Sequence, residues 1–377
     1  MSMHIITTKP QLFFICIILL FLTSCSSFKF KCASSLQKCD ALIDYIPQKN
    51  TTLIAIRDLF NIKNLRTILG VNNLPLSTPP NQLVPAKHSL IKIPLQCICT
   101  NGTGKSNKRP IYKVENATSL ERIATEVFAG LVSYEEIQEV NNVRDPKLVK
   151  VGQRLWIPLP CSCDDVEGER VVHYGHLVGE NSTVEGIAQE YNTTQNVIMR
   201  VNGLVSPNDL KAGAVLDVPL KACTSLVNNN SLDYPLLVSS GTYIFTAANC
   251  VKCTCDAANN WTLQCEPSQF NSSLWHTCPS MQCQGYTGFY LGNSSSYVCE
   301  RTTCSYAGYT NQTILTTTNL DSTCNGKCSF QLQTEQRTFL NYTLLRPYSS
   351  SLLFTFFFSF LQLLILILQE SACAFGG

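Results

Sequence analysis

Twenty cysteines are this chain's largest store of reactive side chains. Thiols serve as nucleophiles, as metal ligands or as halves of disulfides, and spacing separates these uses. A cysteine nucleophile needs an imidazole beside it. Zinc modules want two ligand pairs joined by a short loop, often with histidine. Here the C-x-C pairs Cys97/Cys99 and Cys161/Cys163 lie far apart, and His4, His88, His173, His176 and His276 do not accompany them. So many cysteines also exceed what a reducing compartment holds, where thiols stay free. Disulfides are therefore expected, with no metal and no cofactor.

Carboxylates are the next candidates. Glycosidic cleavage needs two of them across the scissile bond, one kept protonated. Asp164, Asp165 and Glu167 cluster, but in a linker beside a C-x-C pair with no cleft-forming domain around them. The expectation is a chain that catalyses nothing. Net charge is +2 and the basic residues are scattered. The densest basic run, KSNKR at 105–109, reads as a solvated loop. A nucleic-acid partner would want a basic face with interleaved aromatics, which is not visible. A neutral partner fits better.

Asparagines supply the third chemistry. Eleven Asn-x-Ser/Thr sequons occur, at Asn50, Asn101, Asn116, Asn181, Asn192, Asn229, Asn260, Asn271, Asn293, Asn311 and Asn341. That exceeds chance for this composition and points to an N-glycosylated exterior. The ends agree. Lys9 precedes an apolar run over 12–22 and small residues over 23–27, so 1–26 reads as a signal peptide. Residues 352–368 are continuously apolar, at the short limit for a membrane span. No Lys or Arg follows them to mark a cytoplasmic side. A removable signal for a glycosylphosphatidylinositol anchor explains the tail better, with candidate sites near 322–326.

The elements that must position these residues recur. Three segments end alike, Ile91-Lys92-Ile93-Pro94-Leu95, Leu155-Trp156-Ile157-Pro158-Leu159 and Leu216-Asp217-Val218-Pro219-Leu220. Each follows an asparagine signature: Val71-Asn72-Asn73, Val140-Asn141-Asn142 and Val201-Asn202-Gly203. The units span 42–95, 110–159 and 171–220. In the middle unit 111–114 reads as a strand, and Thr118-x-x-Glu121 as a capping box. Leu120, Ile123, Ala124, Val127, Phe128 and Leu131 then form one apolar helix face. Ser133-x-x-Glu136 opens a second helix, and Gly152 turns the chain into a strand over 155–157 that Pro158 closes. The third unit repeats the order, with a Ser182-x-x-Glu185 box. In the first, His88 stands where the others carry Gly152 and Gly213. Residues 240–328 have no helical period and read as a small cysteine-rich module held by disulfides. The fold class is α+β: three strand-helix-helix-strand units followed by a disulfide-rich loop and β module.

These residues carry a resemblance. The repeated unit resembles the lysin motif, LysM, and three such units separated by C-x-C pairs resemble plant LysM receptor ectodomains. The stretch VGQRLWIPLPCSCDD at 151–165, the block GTYIFTAANCVKCTC at 241–255 and the apolar tail sharpen it toward LysM-domain glycosylphosphatidylinositol-anchored proteins of the chitin elicitor-binding type. The resemblance implies the pairings Cys32–Cys99, Cys39–Cys163 and Cys97–Cys161, with Cys223 bonded to the C-terminal module. It implies a chitin oligosaccharide ligand, with peptidoglycan as the alternative and a wall hydrolase as the remote one. It also implies a LysM receptor kinase as partner, attachment to the outer membrane face by a lipid anchor, and ligand-bridged homodimers. Its site is a groove in the second unit between Asn116, Ala117, Thr118, Ser119 and Leu120 on one wall and Arg144, Asp145, Pro146, Lys147, Leu148 and Val149 on the other. Val149, Leu148 and Pro146 are expected to give apolar contact, and backbone near Thr118 and Asp145 hydrogen bonds. Leu120 and Leu148 would equally suit an ordinary core. Asn116 stands in the groove wall, so glycans are expected instead at the other asparagines upstream of Asn341. Trp156 suits a packed core better than sugar stacking.

Overall fold

The computed structural model describes residues 30–33, 38–285 and 287–322. The signal segment 1–26, the tail 352–368, Asn341 and the anchor stretch beyond 322 lie outside them. Met1–Ser294 with Thr302–Asn319 belong to one compact unit and Ser295–Arg301 with the residues from Leu320 to a second. The elements and sites described below are those of the first.

The first unit runs β1 (Lys38–Tyr45), β2 (Thr51–Thr52), α1 (Leu53–Leu59), α2 (Leu65–Val71), β3 (Leu83–Val84) and β4 (Ile91–Thr100), with β5 (Thr103–Ser106) as an extension. The second comprises β6 (Ile111–Lys113), α3 (Leu120–Arg122) running into a π-turn Ile123–Val127, α4 (Tyr134–Asn141) and β7 (Arg154–Trp156). The third comprises β8 (Val171–Leu177), α5 (Val184–Glu190), α6 (Gln195–Asn202) and β9 (Val215–Lys221). The order strand-helix-helix-strand holds three times.

The same asparagine closes each unit. Asn72 donates to the carbonyls of Ile68 and Lys92 and accepts from Lys92 N–H, all at 2.8 Å. Asn141 does the same with Ile137 and Trp156, and Asn202 with Ile198 and Asp217. One side chain thus ties the end of the second helix to the returning strand. The next residue leaves the helix in the left-handed region: Asn73 at φ 50°, Asn142 at 51°, Gly203 at 64°. Asn and Gly tolerate that conformation best.

Several local expectations are corrected. Ser133-x-x-Glu136 is a true capping box. The other two boxes start one residue late: Ser119 caps Arg122 N–H and Thr183 caps Gly186 N–H. Thr118 is unavailable because it is extended and bridged to Val149. In the first unit the left-handed turn residue is Lys87 (φ 61°), whereas Gly152 (82°) and Gly213 (80°) serve in the others. Lys87 N–H donates to Pro47 O as Gly152 does to Val114 and Gly213 to Val178, so His88 is an inserted residue. β7 runs Arg154–Trp156 and stops one residue short of the expected Ile157, while Pro94 and Pro219 lie within β4 and β9.

The units do not keep separate sheets. The largest sheet has the order β5-β4-β1-β8-β9, joining the first and third units through β1 and β8 in parallel, while β6 and β7 stand apart. Strand alternation lets β1 serve two cores. Ile43 and Tyr45 enter the core shared with the second unit, and Leu42 enters the core of the third. Edge-to-face rings chain Tyr45, Phe60, Phe128 and Tyr112 together, with centroids 5.0, 5.9 and 5.8 Å apart.

Asp44 is fully buried on the third-unit side of β1. It is satisfied there by Tyr174 Oη, by His176 Nδ1 at 2.9 Å and by Leu177 N–H at 3.1 Å. A second buried pair lies nearby. His173 Nδ1 is 2.9 and 3.0 Å from the carboxylate oxygens of Asp217, and its Nε2 is 2.7 Å from Asp164 O. A carbonyl and an ionised carboxylate only accept, so the geometry favours hydrogen on both ring nitrogens, the imidazolium form. Burial lowers its pKa; the Asp217 carboxylate and the Asp164 carbonyl outweigh that and leave it raised.

Cystines complete the framework. Cys32–Cys99, Cys39–Cys163 and Cys97–Cys161 join the N-terminal segment to both C-x-C pairs. This is the pairing the resemblance implies. Cys223 is bonded to Cys255 inside the cysteine-rich module. That module folds around β10 (Thr242–Thr246), β11 (Val251–Cys255) and β12 (Gln264–Pro267), pinned by Cys250–Cys278, Cys253–Cys265 and Cys283–Cys304.

Candidate functional site

The second unit brings the two expected walls together. Val149 N–H donates to Thr118 O at 3.1 Å and Leu120 N–H to Pro146 O at 2.8 Å. The wall from Arg144 to Val149 is built on an Asx turn, in which Asp145 Oδ1 accepts from Lys147 N–H at 2.9 Å. The walls therefore meet along their backbones.

The side chains divide. Leu120 and Val149 are 0% and 2% exposed and belong to the core, so the expected apolar contact from Val149 is not available. Leu148 is 70% exposed and offers a free apolar surface. Pro146, Thr118 and Ser119 are half-buried, and Asn116, Ala117, Arg144, Asp145 and Lys147 are exposed. Thr118 O accepts from Val149 N–H and Asp145 Oδ1 from Lys147 N–H, which leaves each oxygen a second lone pair. Trp156, half-buried, keeps its indole Nε1 buried without a partner among the described residues. That orphan donor was not foreseen, because only the fold shows what surrounds the ring.

The alternative chemistries have structural uses. Asp164 accepts from Ala33 N–H through both carboxylate oxygens at 2.8 Å. Glu167 receives Arg200 at 3.0 Å. Cys39, Cys97 and Cys163 bring their sulfurs within 4.8 Å of one another, but all three are cystine sulfurs, not thiolates able to ligate a metal. Asn50, Asn101, Asn181, Asn192, Asn229, Asn260, Asn271, Asn293 and Asn311 are exposed, as glycan attachment requires, and so is Asn116.

The LysM domain model matches residues 112–158 and 176–219. LysM domain-containing GPI-anchored protein 2 of Arabidopsis thaliana is 48% identical over 76% of this chain and 81% of its own length. The chain belongs to this LysM family. Within it, the Chitin elicitor-binding protein of Oryza sativa subsp. japonica is 38% identical, over 77% of this chain and 80% of its own. LysM domain-containing GPI-anchored protein 1 of Arabidopsis thaliana is also 38% identical, over 79% and 71%. The two matched segments fall on the second and third Asn-clamped units, and the first of them includes both expected walls, 116–120 and 144–149.

Proposed function

We propose that this chain is a receptor-like protein of the outer cell surface that binds chitin through LysM grooves and passes the signal to a LysM receptor kinase. The observation that supports this most directly is the second-unit groove. It is a backbone-lined seam with a free apolar side chain, Leu148, and no ionisable group committed to catalysis. An N-acetylglucosamine polymer is uncharged and carries an amide on every ring, so it needs hydrogen-bonding backbone and a small apolar contact and no titrating residue. The rice relative is named for binding a chitin elicitor, which supports the same ligand.

The relatives named as GPI-anchored support a lipid anchor here, and catalysis has no part in the proposal. A shallow site binds weakly, and a long polymer spanning two copies would raise effective concentration without new contacts. Ligand-bridged dimers follow from that. The second reading, peptidoglycan, shares the N-acetylglucosamine unit.

Calorimetry on the secreted, oxidised extracellular portion with chitin octamer and with peptidoglycan fragments tests the proposal. Binding to the octamer, weakened about tenfold or less by Leu148→Ala, is the expected result. Exclusive binding of peptidoglycan would replace the ligand, and no binding of either would remove the function.

A further inference from the structure

The first unit builds the same seam as the second. Thr51 pairs with Val84 across it as Thr118 does with Val149. Leu53 N–H donates to Gln82 O at 3.2 Å, where Leu120 N–H donates to Pro146 O at 2.8 Å. In both units the valine is buried and the leucine before it stands free: Leu83 is 57% exposed and Leu148 70%. The third unit departs from this. Leu210 precedes Gly213 by the same interval as Val149 precedes Gly152, so Asp209 takes the place of Leu148. Its carboxylate is turned back onto its own loop, accepting from Ser206 N–H at 2.8 Å. The first and second seams therefore both offer a saccharide a backbone edge and an apolar contact, and these features do not choose between them.

The sequons differ. Asn50-Thr51-Thr52 places its asparagine two residues before Thr52, the N-cap of α1. Two residues before Ser119, the N-cap of α3, stands Ala117. Asn50 is exposed, and its Oδ1 reaches across the seam to accept from Ala86 N–H at 2.9 Å, two residues past Val84. The amide is held there by its carbonyl, which leaves Nδ2 as the group open to modification. N-glycosylation removes one hydrogen from Nδ2 as a proton and joins that nitrogen to C1 of a lipid-linked oligosaccharide, whose lipid pyrophosphate leaves with the C1–O electron pair. The product keeps its carbonyl and one N–H, so the bond to Ala86 survives and orients the glycan at its root. Asn116 starts one residue farther from its helix and has no hydrogen bond to the opposite wall among the described residues. Asn181 repeats the Asn50 position, two residues before the N-cap Thr183, but on the unit that lacks the free leucine.

We propose that an N-glycan on Asn50 covers the first unit's seam and confines the saccharide ligand to the second. A branched oligosaccharide rooted across the seam stands over Leu83 and keeps another glycan from the same edge. The inference rests on the chitin reading above and adds which unit is open and what closes the other.

Calorimetry of N-acetylglucosamine tetramer on the secreted, disulfide-intact protein tests this, together with site-resolved mass analysis of its glycans. Asn50→Asp removes the sequon and keeps an acceptor for Ala86 N–H, while Asn50→Gln removes it without adding charge. The expected result is a glycan on Asn50, a single site in the parent and two sites in both variants. Leu83→Ala placed in either variant should weaken the added site and spare the original one. Asn311→Gln, which strips a sequon from the cysteine-rich module, should keep the single site. An unmodified Asn50, two sites in the parent or in Asn311→Gln, or a single site in both Asn50 variants overturns the mask and leaves the chitin reading standing. Absence of binding heat in every protein overturns both.

Discussion

The His173 imidazolium gives the sharpest test of how the third unit is held. His173 and Asp217 are 3% and 2% exposed, and the ring bridges β8 and β9 to the linker that leaves Cys163. The small cavity beside them is lined by Lys31, Asp165, Glu167 and Arg200, so the pair is the charged centre of a mixed-sign neighbourhood. Its folded pKa is raised above an unfolded value of about 6.5. The stability it contributes is therefore fully present below about pH 6.5 and is lost as pH rises through the folded pKa. Removing the ring by His173→Ala strands the buried Asp217 carboxylate, which costs about 3–5 kcal/mol for a buried pair of this kind. At about 2–4 °C per kcal/mol for a domain of this size, the midpoint should fall by roughly 6–20 °C. Asp217→Asn removes the carboxylate while keeping the shape. Burial then drives the ring neutral, with Nδ1 accepting from the new amide and Nε2–H still donating to Asp164 O. Differential scanning calorimetry from pH 6 to 8.5 should show the parent losing stability with rising pH and Asp217→Asn losing less. Parallel profiles for the two proteins would refute the imidazolium assignment.

The other predictions concern the clamp, the packing of α2 on β10 and the surface. Asn141→Leu removes three side-chain hydrogen bonds, two from α4 to β7 and one to Ile137 O within α4, and should cost about 2–4 kcal/mol, read from urea unfolding; Asn202→Leu should cost a similar amount in the third unit. Gly70→Ala drives a methyl into Tyr243 O and should cost about 1–3 kcal/mol, with faster amide exchange confined to 242–246. Enzymatic deglycosylation followed by peptide mass analysis should find deamidated asparagine at most of the nine exposed sequons outside the groove. An unmodified protein would remove the argument from sequon number.

Much of the architecture is legible along the chain because it is local. The repeated asparagine signature, the Ser133 box and the apolar helix faces need only neighbours within one or two turns. Other features depend on contacts that no window contains. The boxes at Thr118 and Ser182 slip by one residue, and at Thr118 the cause is a backbone bridge to Val149, 31 positions on. His88 stands in line with the glycines when counted back from Pro94, yet Lys87 takes the turn, because the first unit carries one extra residue between its turn and that proline. Asp44 looks like a solvent-facing residue until Tyr174 and His176 arrive from 130 and 132 positions away. The parallel pairing of β1 with β8 has no local signal either. In the groove, pattern alone could not separate Leu148, which is exposed, from Val149, which belongs to the core.

One strand explains why the cystines and the buried ions sit where they do. β1 turns Ile43 and Tyr45 toward the second unit and Leu42 and Asp44 toward the third, so a slip of one residue would exchange both sets. Hydrophobicity alone would resist that slip weakly, because Leu42 and Ile43 are nearly interchangeable. Two features make it costly. Cys39, at the start of the strand, is fixed to Cys163 and faces Cys97 in register across β4. Asp44, near its end, finds a hydroxyl, an imidazole and an amide on one side, while a slip would put its carboxylate into the apolar core on the other. The covalent pin and the charged pin act at opposite ends of an eight-residue strand, and between them they hold the first unit in one relation to both of its neighbours. The second unit shares no strand with that sheet and is held instead by side-chain packing, by Cys97–Cys161 and by backbone bonds between β5 and the segment 159–161.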